Sequence, residues 1–299
     1  IPVINSFLDG AEEALEQRGI DAPLLVVKSD GSLARSEEIR KRPIETVFSG
    51  PAASVMGSVA FAEPEAETIV LDIGGTTTDM AVMINGVPVL APHGAEINEY
   101  KTLIRALHTQ SVGIGGDSVV RTDGETVTIG PDRAGPALAY GGRQPTPTDA
   151  LYVLDKGGDG DAAAAEKGMA GIAERLGVTT KAAAYRVFDQ TCRQILEKAR
   201  QMVDKINSQP VYTVHEALKG HRINPDHVLV LGGPAPHFAE HLQSISGYTV
   251  RKVPQWEVAN AIGTALSRTT CEVTLFADTY KCQATAPEEM VMEQIHPRF

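Results

Sequence analysis

The chain has 299 residues, 42% hydrophobic and 22% charged, enough for two packed lobes each with its own core. A formal net charge of −11 argues against a nucleic-acid partner, which needs a basic footprint, and no apolar run approaches the length of a membrane span. The three cysteines, Cys192, Cys271 and Cys282, have no CxxC spacing; with no signal peptide visible, they read as thiols of a reducing, cytoplasmic setting, not as a disulfide framework or zinc site.

The chain opens on Ile1-Pro2, not Met, and closes on Arg298-Phe299, so an excised piece of a longer polypeptide is expected. Residues 3–18 keep a helical period through Val3, Ile4, Phe7, Leu8, Ala11 and Leu15. A short strand from Leu24 to Val27, a turn at Ser29-Asp-Gly-Ser32 and an extended stretch from Pro43 to Phe48 should follow. Ser49-Gly-Pro51 then starts a small-residue helix, Ala52 to Phe61, with Ser49 as its expected cap. Its small residues suit either close helix packing or close approach to a ligand.

The next stretch organises the chain. Ile69 to Leu71 is a short apolar, β-rich run that breaks at Asp72-Ile-Gly-Gly-Thr-Thr-Thr-Asp79. A second strand resumes from Asp79 to Ile84, and Asn85-Gly86 is a strong hairpin signal because both residue types tolerate positive φ. Val87 to Leu90 makes a third strand. A glycine-threonine loop therefore sits at the tip of an antiparallel meander, with carboxylates Asp72 and Asp79 on either side. Gly74 and Gly75 let backbone N–H groups approach an anion, Thr76, Thr77 and Thr78 add donors, and the carboxylates suit Mg²⁺ held through its waters. The bland alternative is a hairpin whose threonines only cap turns. The loop is neither a P-loop nor a Rossmann turn, because both of those lead into a helix.

A second glycine loop follows in Ser111-Val-Gly-Ile-Gly-Gly-Asp-Ser118, and Asp123-Gly124 and Gly130-Pro131 mark further turns, so 111–130 reads as another antiparallel meander. Residues 130–150 are rich in Gly, Pro and Thr, the composition of a functional loop more than of a linker. Asp155, Asp159, Gly160 and Glu166 invite a calcium reading, but Gly157 lacks a side-chain oxygen where one is needed; a turn with Asp161 as a helix cap fits better. Helices are expected from Ala162 to Leu176, stopped by Gly177, and along the stripe Phe188, Cys192, Ile195, Ala199, Met202, Ile206, where Cys192 reads as a buried small hydrophobe. Asp226 to Leu231 is a buried strand ending in Gly232-Gly233, then come a helix through about Leu242, a strand from Tyr248 to Val253 and an alanine-rich helix from Trp256 to Ser267. Residues 270–296 read as strand and loop. His108 and His237 lie near glycine loops, where capping or core roles compete with chemistry.

The order of Asp72-Ile-Gly-Gly-Thr-Thr-Thr-Asp79 on a hairpin, Val228-Leu-Val-Leu-Gly-Gly233 before a helix, and Val258-Ala-Asn-Ala-Ile-Gly-Thr-Ala265 resembles the second half of the α/β actin-like ATPase (ribonuclease H-like) fold, a mixed sheet with flanking helices. Within it the chain resembles the hydantoinase A/oxoprolinase family, relatives of the acetone carboxylase β subunit, over nearly its whole length. The resemblance is carried by Ser49-Gly-Pro-Ala-Ala-Ser54, Asp72 to Asp79, His108-Thr109 with Gly113 to Ser118, Gly130-Pro-Asp-Arg-Ala-Gly-Pro136 with Tyr140-Gly141, and Pro145-Thr-Pro-Thr-Asp-Ala150. The chain departs from the pattern at Asp117 (usually glycine), Ala139 (often cysteine) and Gly232-Gly-Pro-Ala-Pro-His237 (more usually Gly-Gly-Ala-Gly-Pro), and these departures bear on the substrate, not on the fold.

The resemblance implies residues 1–66 as the remainder of a first lobe with its lead-in helix, 67–255 as the second actin-like lobe with a Gly/Pro-rich insertion at about 111–160, and 256–299 as a return helix with a C-terminal strand and loop segment. It also implies that the first phosphate loop lies outside this chain, so that half of a nucleotide cleft is present. The implied activity is ATP- and Mg²⁺-dependent opening of a cyclic amide, of hydantoin or 5-oxoproline type, or the equivalent step in a carboxylase. Phosphate binding falls to Gly74, Gly75, Thr76, Thr77 and Thr78, metal binding to Asp72 and Asp79, and the adenine side to Gly232 and Gly233. Gly115, Gly116, Ser118 and Asp149 are expected on the substrate side, with Asp117 and His108 as acid–base groups beside the carboxylates. A hydantoinase B-type partner subunit is implied, and a homo-oligomer stays open. A small-metabolite kinase of the same fold and a non-catalytic nucleotide-sensing subunit are the competing readings.

Overall fold

The computed structural model describes residues 2–97, 100–208, 222–270, 275–278, 280–286 and 291–294. In chain order the main elements are α1 (Pro2–Gln17), β1 (Leu25–Val27), β2 (Leu33–Arg35), α2 (Ser36–Lys41), α3 (Ser49–Val59), β3 (Glu67–Ile73), β4 (Thr78–Ile84), β5 (Val87–Pro88), β6 (Glu96–Ile97), β7 (Tyr100–Lys101), β8 (Thr109–Val112), β9 (Ser118–Asp123) and β10 (Thr126–Arg133). They continue with α4 (Pro147–Val153), α5 (Ala162–Leu176), α6 (Thr180–Ser208), β11 (His227–Leu231), α7 (Ala235–Ile245), β12 (Thr249–Lys252), α8 (Ala259–Leu266), and β13 (Phe276–Asp278), β14 (Gln283–Ala286) and β15 (Val291–Gln294).

The expected α/β architecture is present. The central sheet runs β12-β11-β3-β4-β5, and β8 pairs along the other half of the same β4 edge. β12, β11 and β3 are mutually parallel; β4 runs antiparallel to β3, β5 and β8. Alternation along the strands divides the core in two. Ile69, Leu71, Ile73, Met80 and Val82 face a large cluster built with α5, α6 and α7. Val70, Ala81, Met83, Leu229 and Leu231 face a smaller one built with α3 and with Ala259 of α8. Helices thus cover both faces, as a sheet with parallel strands requires.

Local chemistry explains the elements that matter here. Asn85 and Gly86 have φ of 53° and 74°, the two positive values of a type I′ turn, and they set the β3–β4 hairpin and its neighbour β5. The Asp161 side chain accepts from the amides of Ala163 and Ala164 to start α5, and left-handed Gly177 stops it. Thr146 and Asp149 form a reciprocal capping box at α4, with Pro147 in its first turn.

Several expectations need correction. Residues 43–48 are not extended: a 3₁₀ turn occupies Pro43–Thr46, since the φ fixed by proline suits a helical start as well as a strand. The short helix α2 before it was not foreseen. Ser49 is not a cap but the first residue of α3, whose N-cap is Phe48 without a side-chain hydrogen bond. The 111–130 segment is not one meander, because β8 belongs to the central sheet and β9–β10 form a separate ribbon. Gly130-Pro131 lies inside β10, at its register irregularity, and not at a turn. The stretch expected as one helix from Trp256 splits into a 3₁₀ turn, Trp256–Val258, and α8. Cys271 and parts of the 270–296 segment lie outside the described residues. Cys192 is fully buried in the α6 stripe, and burial pushes its thiol well above the ordinary cysteine range, which makes it inert.

Candidate functional site

The β3–β4 hairpin carries Asp72 and Asp79 to directly opposed positions, one residue in from the tip. Opposed residues share a face of the sheet, so both carboxylates look toward α3. There Ser54 Oγ donates to Asp72 Oδ2 at 2.5 Å. Ser111 stands directly opposite Asp79 on β8, with its hydroxyl on the same face as the second carboxylate. Burial raises Asp72 above the usual carboxylate range, against the opposing pull of Ser54. Burial also raises Asp79, with Ser111 lowering it and the negative charge of Asp72 raising it further. Two part-buried carboxylates facing each other across a hairpin form a receptive seat for a divalent cation.

Between them the loop tip is open. Gly74 N–H closes the turn onto Thr77 O at 2.9 Å. The next three amides, of Gly75, Thr76 and Thr77, have no hydrogen-bond partner among the described residues, and Gly75 and Thr76 are exposed. Three consecutive backbone donors with exposed hydroxyls beside them form an anion nest. Thr78 does not share in it: it is fully buried and its Oγ1 donates to Ile114 O at 2.7 Å. It therefore anchors the second glycine loop instead of offering a donor to phosphate.

The second glycine loop is docked onto the first. Gly116 N–H and Asp117 N–H donate to Gly74 O and Gly75 O at 2.9 and 2.6 Å. A Cβ on Gly115 would lie 2.6 Å from those same two carbonyl oxygens, so only glycine permits this approach. Ser118 Oγ, buried, accepts from Gly115 N–H at 2.8 Å. Thr148 of α4 clamps Gly116 O through both its N–H and its Oγ1, each at 2.8 Å. Gly115, Gly116 and Ser118, read as substrate-side residues, lie beside the tip with their polar groups occupied in structure. Asp149 is also corrected: fully buried, it accepts from Leu138 N–H, Ala139 N–H, Thr146 N–H and Thr146 Oγ1 at 2.9–3.1 Å. It ties the 138–146 segment to α4 and offers no oxygen to a substrate.

Asp117 does reach the tip. Its Oδ2 lies 2.7 Å from where a Cβ of Gly75 would stand, and it accepts from Arg133 Nη2 at 2.8 Å. His108 does not. Val112 faces the large core cluster and Ser111 meets Asp79 on the other face, and continuing the two-residue alternation back along β8 puts His108 on the Val112 side. Its surroundings agree: burial and the nearby charge of Lys205 on α6 hold it below its ordinary value, and its Nδ1 is buried without a partner among the described residues. The acid–base role expected for His108 beside Asp72 and Asp79 is therefore overturned by strand parity. Arg133, met in the sequence only as part of the 130–136 stretch, comes beside the tip through Asp117, a partner 16 residues away that no local pattern points to.

The other edge of the site comes from β11, beside β3. Gly232 has φ of +92° and packs so tightly that a Cβ would meet Ile73 O at 2.2 Å and Asp72 Oδ1 at 2.7 Å. Gly233 is exposed with open space around its Cα, and α7 begins two residues later. A glycine pair at a parallel strand's carboxyl end, running into a helix N-terminus, suits a nucleotide's approach. A surface groove lies elsewhere, along α6 around Gln190, Gln194 and Glu197; the hairpin tip itself is open. The donor set fits ATP with Mg²⁺: free amides for phosphate oxygens, two facing carboxylates for a hard cation and its waters, and a glycine edge free of side chains. In the 155–161 segment Asp161 is the α5 cap, as the alternative to a calcium loop expected.

A family model described as hydantoinase/oxoprolinase matches residues 1–273. The chain is similar to caprolactamase subunit alpha of Pseudomonas jessenii, 26% identical over 205 residues, which is 62% of this chain and 29% of that one. It is also similar to the acetophenone carboxylase gamma subunit of Aromatoleum aromaticum (strain DSM 19018 / LMG 30748 / EbN1), 32% identical over 152 residues, 48% of this chain and 20% of that one. Among solved structures, nucleotide-free acetone carboxylase superposes with a TM-score of 0.68 at 21% identity, over 86% of this chain and 37% of that one. The ATP-dependent caprolactamase from Pseudomonas jessenii superposes with a TM-score of 0.66 at 21% identity, over 92% and 41%. At these identities the structural likeness is one of fold. The matched regions span less than a third of the curated relatives' length. Among the described residues no helix is long and apolar enough to cross a membrane.

Proposed function

The chain belongs to the hydantoinase/oxoprolinase family, and from that premise we propose that it forms the second phosphate-binding half of an ATP-dependent enzyme that opens a cyclic amide of hydantoin or 5-oxoproline type, or of a carboxylase that uses the same activation. The observation that carries this reading is the hairpin tip: three consecutive unpartnered amides set beside the directly opposed carboxylates Asp72 and Asp79. On this reading residues 67–255 are the second lobe of an actin-like pair, and Mg²⁺ belongs with the carboxylates.

An amide is a poor electrophile because its carbonyl is resonance-stabilised. ATP, when bound, supplies the phosphoryl group that turns the carbonyl oxygen into a leaving group. The residues present contribute position and charge. The amides of Gly75, Thr76 and Thr77, with the hydroxyls of Thr76 and Thr77, hold phosphate oxygens. Asp72 and Asp79 hold the cation, with Ser54 fixing the orientation of Asp72. Gly232 and Gly233 keep the adenine side clear of side chains. Asp117, read from the sequence as an acid–base group, lies over Gly75 and is paired with Arg133, so on this reading its place is beside the phosphates. Relatives named as alpha and gamma subunits support a partner subunit, which on this reading is of hydantoinase B type.

The test assays the whole protein and its Asp72→Ala variant for phosphate release with and without hydantoin or 5-oxoproline. Substrate-stimulated release is expected in the parent and lost in the variant; equal rates in the two overturn the role of Asp72. A stable phosphorylated product would favour a kinase, and nucleotide binding without stimulated turnover would favour a sensing subunit.

A further inference from the structure

We propose that Arg133 is the cationic arm of the phosphate loop, held in position by Asp117, and that it contacts the terminal phosphate of the bound nucleotide. The inference rests on the nucleotide reading of the hairpin. Arg133 ends β10, on a ribbon separate from the central sheet, yet its guanidinium reaches the hairpin tip. Nη2 donates to Asp117 Oδ2 at 2.8 Å and Nε to Gly135 O at 3.3 Å. Nη1 makes no hydrogen bond among the described residues, so one edge of the planar fork is open, and the side chain is 42% exposed. Asp117 is far more enclosed, at 17%, and its Oδ2 lies over Gly75, the first of the three unpartnered amides.

Charge decides what this pair is for. A carboxylate beside an anion nest opposes the phosphate that the nest is shaped to take. Arg133 cancels that charge and still keeps donors in reserve, because a guanidinium has five N–H groups and two are engaged here. Arginine also matches phosphate with a bidentate edge that lysine lacks. Asp117 is fixed from the other side by its own amide, which donates to Gly75 O at 2.6 Å. The pair therefore moves with the loop, and a phosphate on the amides of Gly75 to Thr77 lies within an arginine's reach. Asp117 acts here as the positioning residue and Arg133 as the ligand-contacting one.

The experiment measures Mg²⁺-dependent affinity for a fluorescent ATP analogue in the whole protein and in Arg133→Ala, Arg133→Lys, Asp117→Asn and the Arg133→Ala/Asp117→Asn double variant, with melting temperature alongside. Arg133→Ala should weaken affinity by about tenfold or more, as expected for a lost charge-assisted hydrogen bond plus an unpaired carboxylate. Arg133→Lys should recover part of the loss. The double variant should bind better than Arg133→Ala alone, because the opposing charge is gone. A merely structural ion pair would lower melting temperature in the single variants without changing affinity, and that result overturns the proposal. If Asp72→Ala weakens binding while every Arg133 variant binds like the parent, Arg133 is excluded and the nucleotide site stands. If the parent itself binds no ATP analogue, both readings fall.

Discussion

Two glycine loops meet at the centre of this molecule, and they are built for opposite purposes. The loop at Gly74-Gly75 leaves three amides without partners among the described residues, and Gly75 and Thr76 are exposed. The loop at Gly115-Gly116 uses its own amides and carbonyl in bonds to the first loop and to Thr148. Their compositions are nearly the same, so glycine content signals that something approaches the backbone closely without saying what. In one case the approaching group is an external anion on our reading; in the other it is the neighbouring chain. The distinction lies in where the hydrogen bonds go.

This contrast can be broken by substitution, starting with the support of the second loop. Asp149→Ala orphans several buried donors around α4 and should cost about 3 kcal/mol or more in urea unfolding, from the handful of hydrogen bonds lost. If the loss is under 1 kcal/mol, as for an exposed site, Asp149 is not the anchor described here. Gly115→Ala forces a Cβ against two backbone oxygens and should cost about 1–3 kcal/mol, with nucleotide affinity falling because the first loop shifts too. Gly233→Ala, facing open space, is the control and should stay within about 0.5 kcal/mol.

Within the first loop itself, Thr78→Val strands the Ile114 carbonyl and should cost about 1–2 kcal/mol. Thr76→Val should leave stability within about 0.5 kcal/mol while weakening nucleotide binding several-fold. Equal behaviour of the two threonines in a paired melt and titration would erase the division between structural and ligand-facing hydroxyls. The last effect is read by its sign. Burial raises Asp72 in the folded state, so its contribution is fully present below the unfolded carboxylate pKa and is lost as pH rises through the folded value. Asp72→Asn should therefore be more stable than the parent near neutral pH in the absence of metal, with the gain shrinking on acidification. A gain that grows toward acid would reverse the assignment.

Where chemistry is local, the sequence was readable. The Asn85-Gly86 turn, the Asp161 cap, the Gly177 stop and the α6 stripe each arise from neighbours within a turn or two, and each stands where it was expected. The hairpin with its two carboxylates was legible for the same reason. What stayed hidden depends on pairing across long separations. Nothing near Thr109 says that β8 will join β4 and not β9, and that choice of partner decides which face His108 takes. Thr78 and Thr76 are indistinguishable in a run of three threonines until Ile114 arrives from 36 residues away to claim one of them. Asp149 reads as a polar loop residue until Leu138 and Ala139 close over it. Arg133 needs Asp117 and Gly75 to be brought together before it means anything.

The small residues of α3 turn out to matter mechanically. A Cβ on Gly263 of α8 would stand 2.0 Å from Ala53 O, and one on Gly57 would stand 2.0 Å from Ala259 O. The two helices therefore cross backbone against backbone, with no side chain between them to flex. A joint of this kind has little play, since packed interiors transmit displacement instead of absorbing it. Ser54 sits one turn from Gly57 and grips Asp72. Any rocking of α8 is thus geared directly to the carboxylate at the hairpin, like a pinion with no backlash.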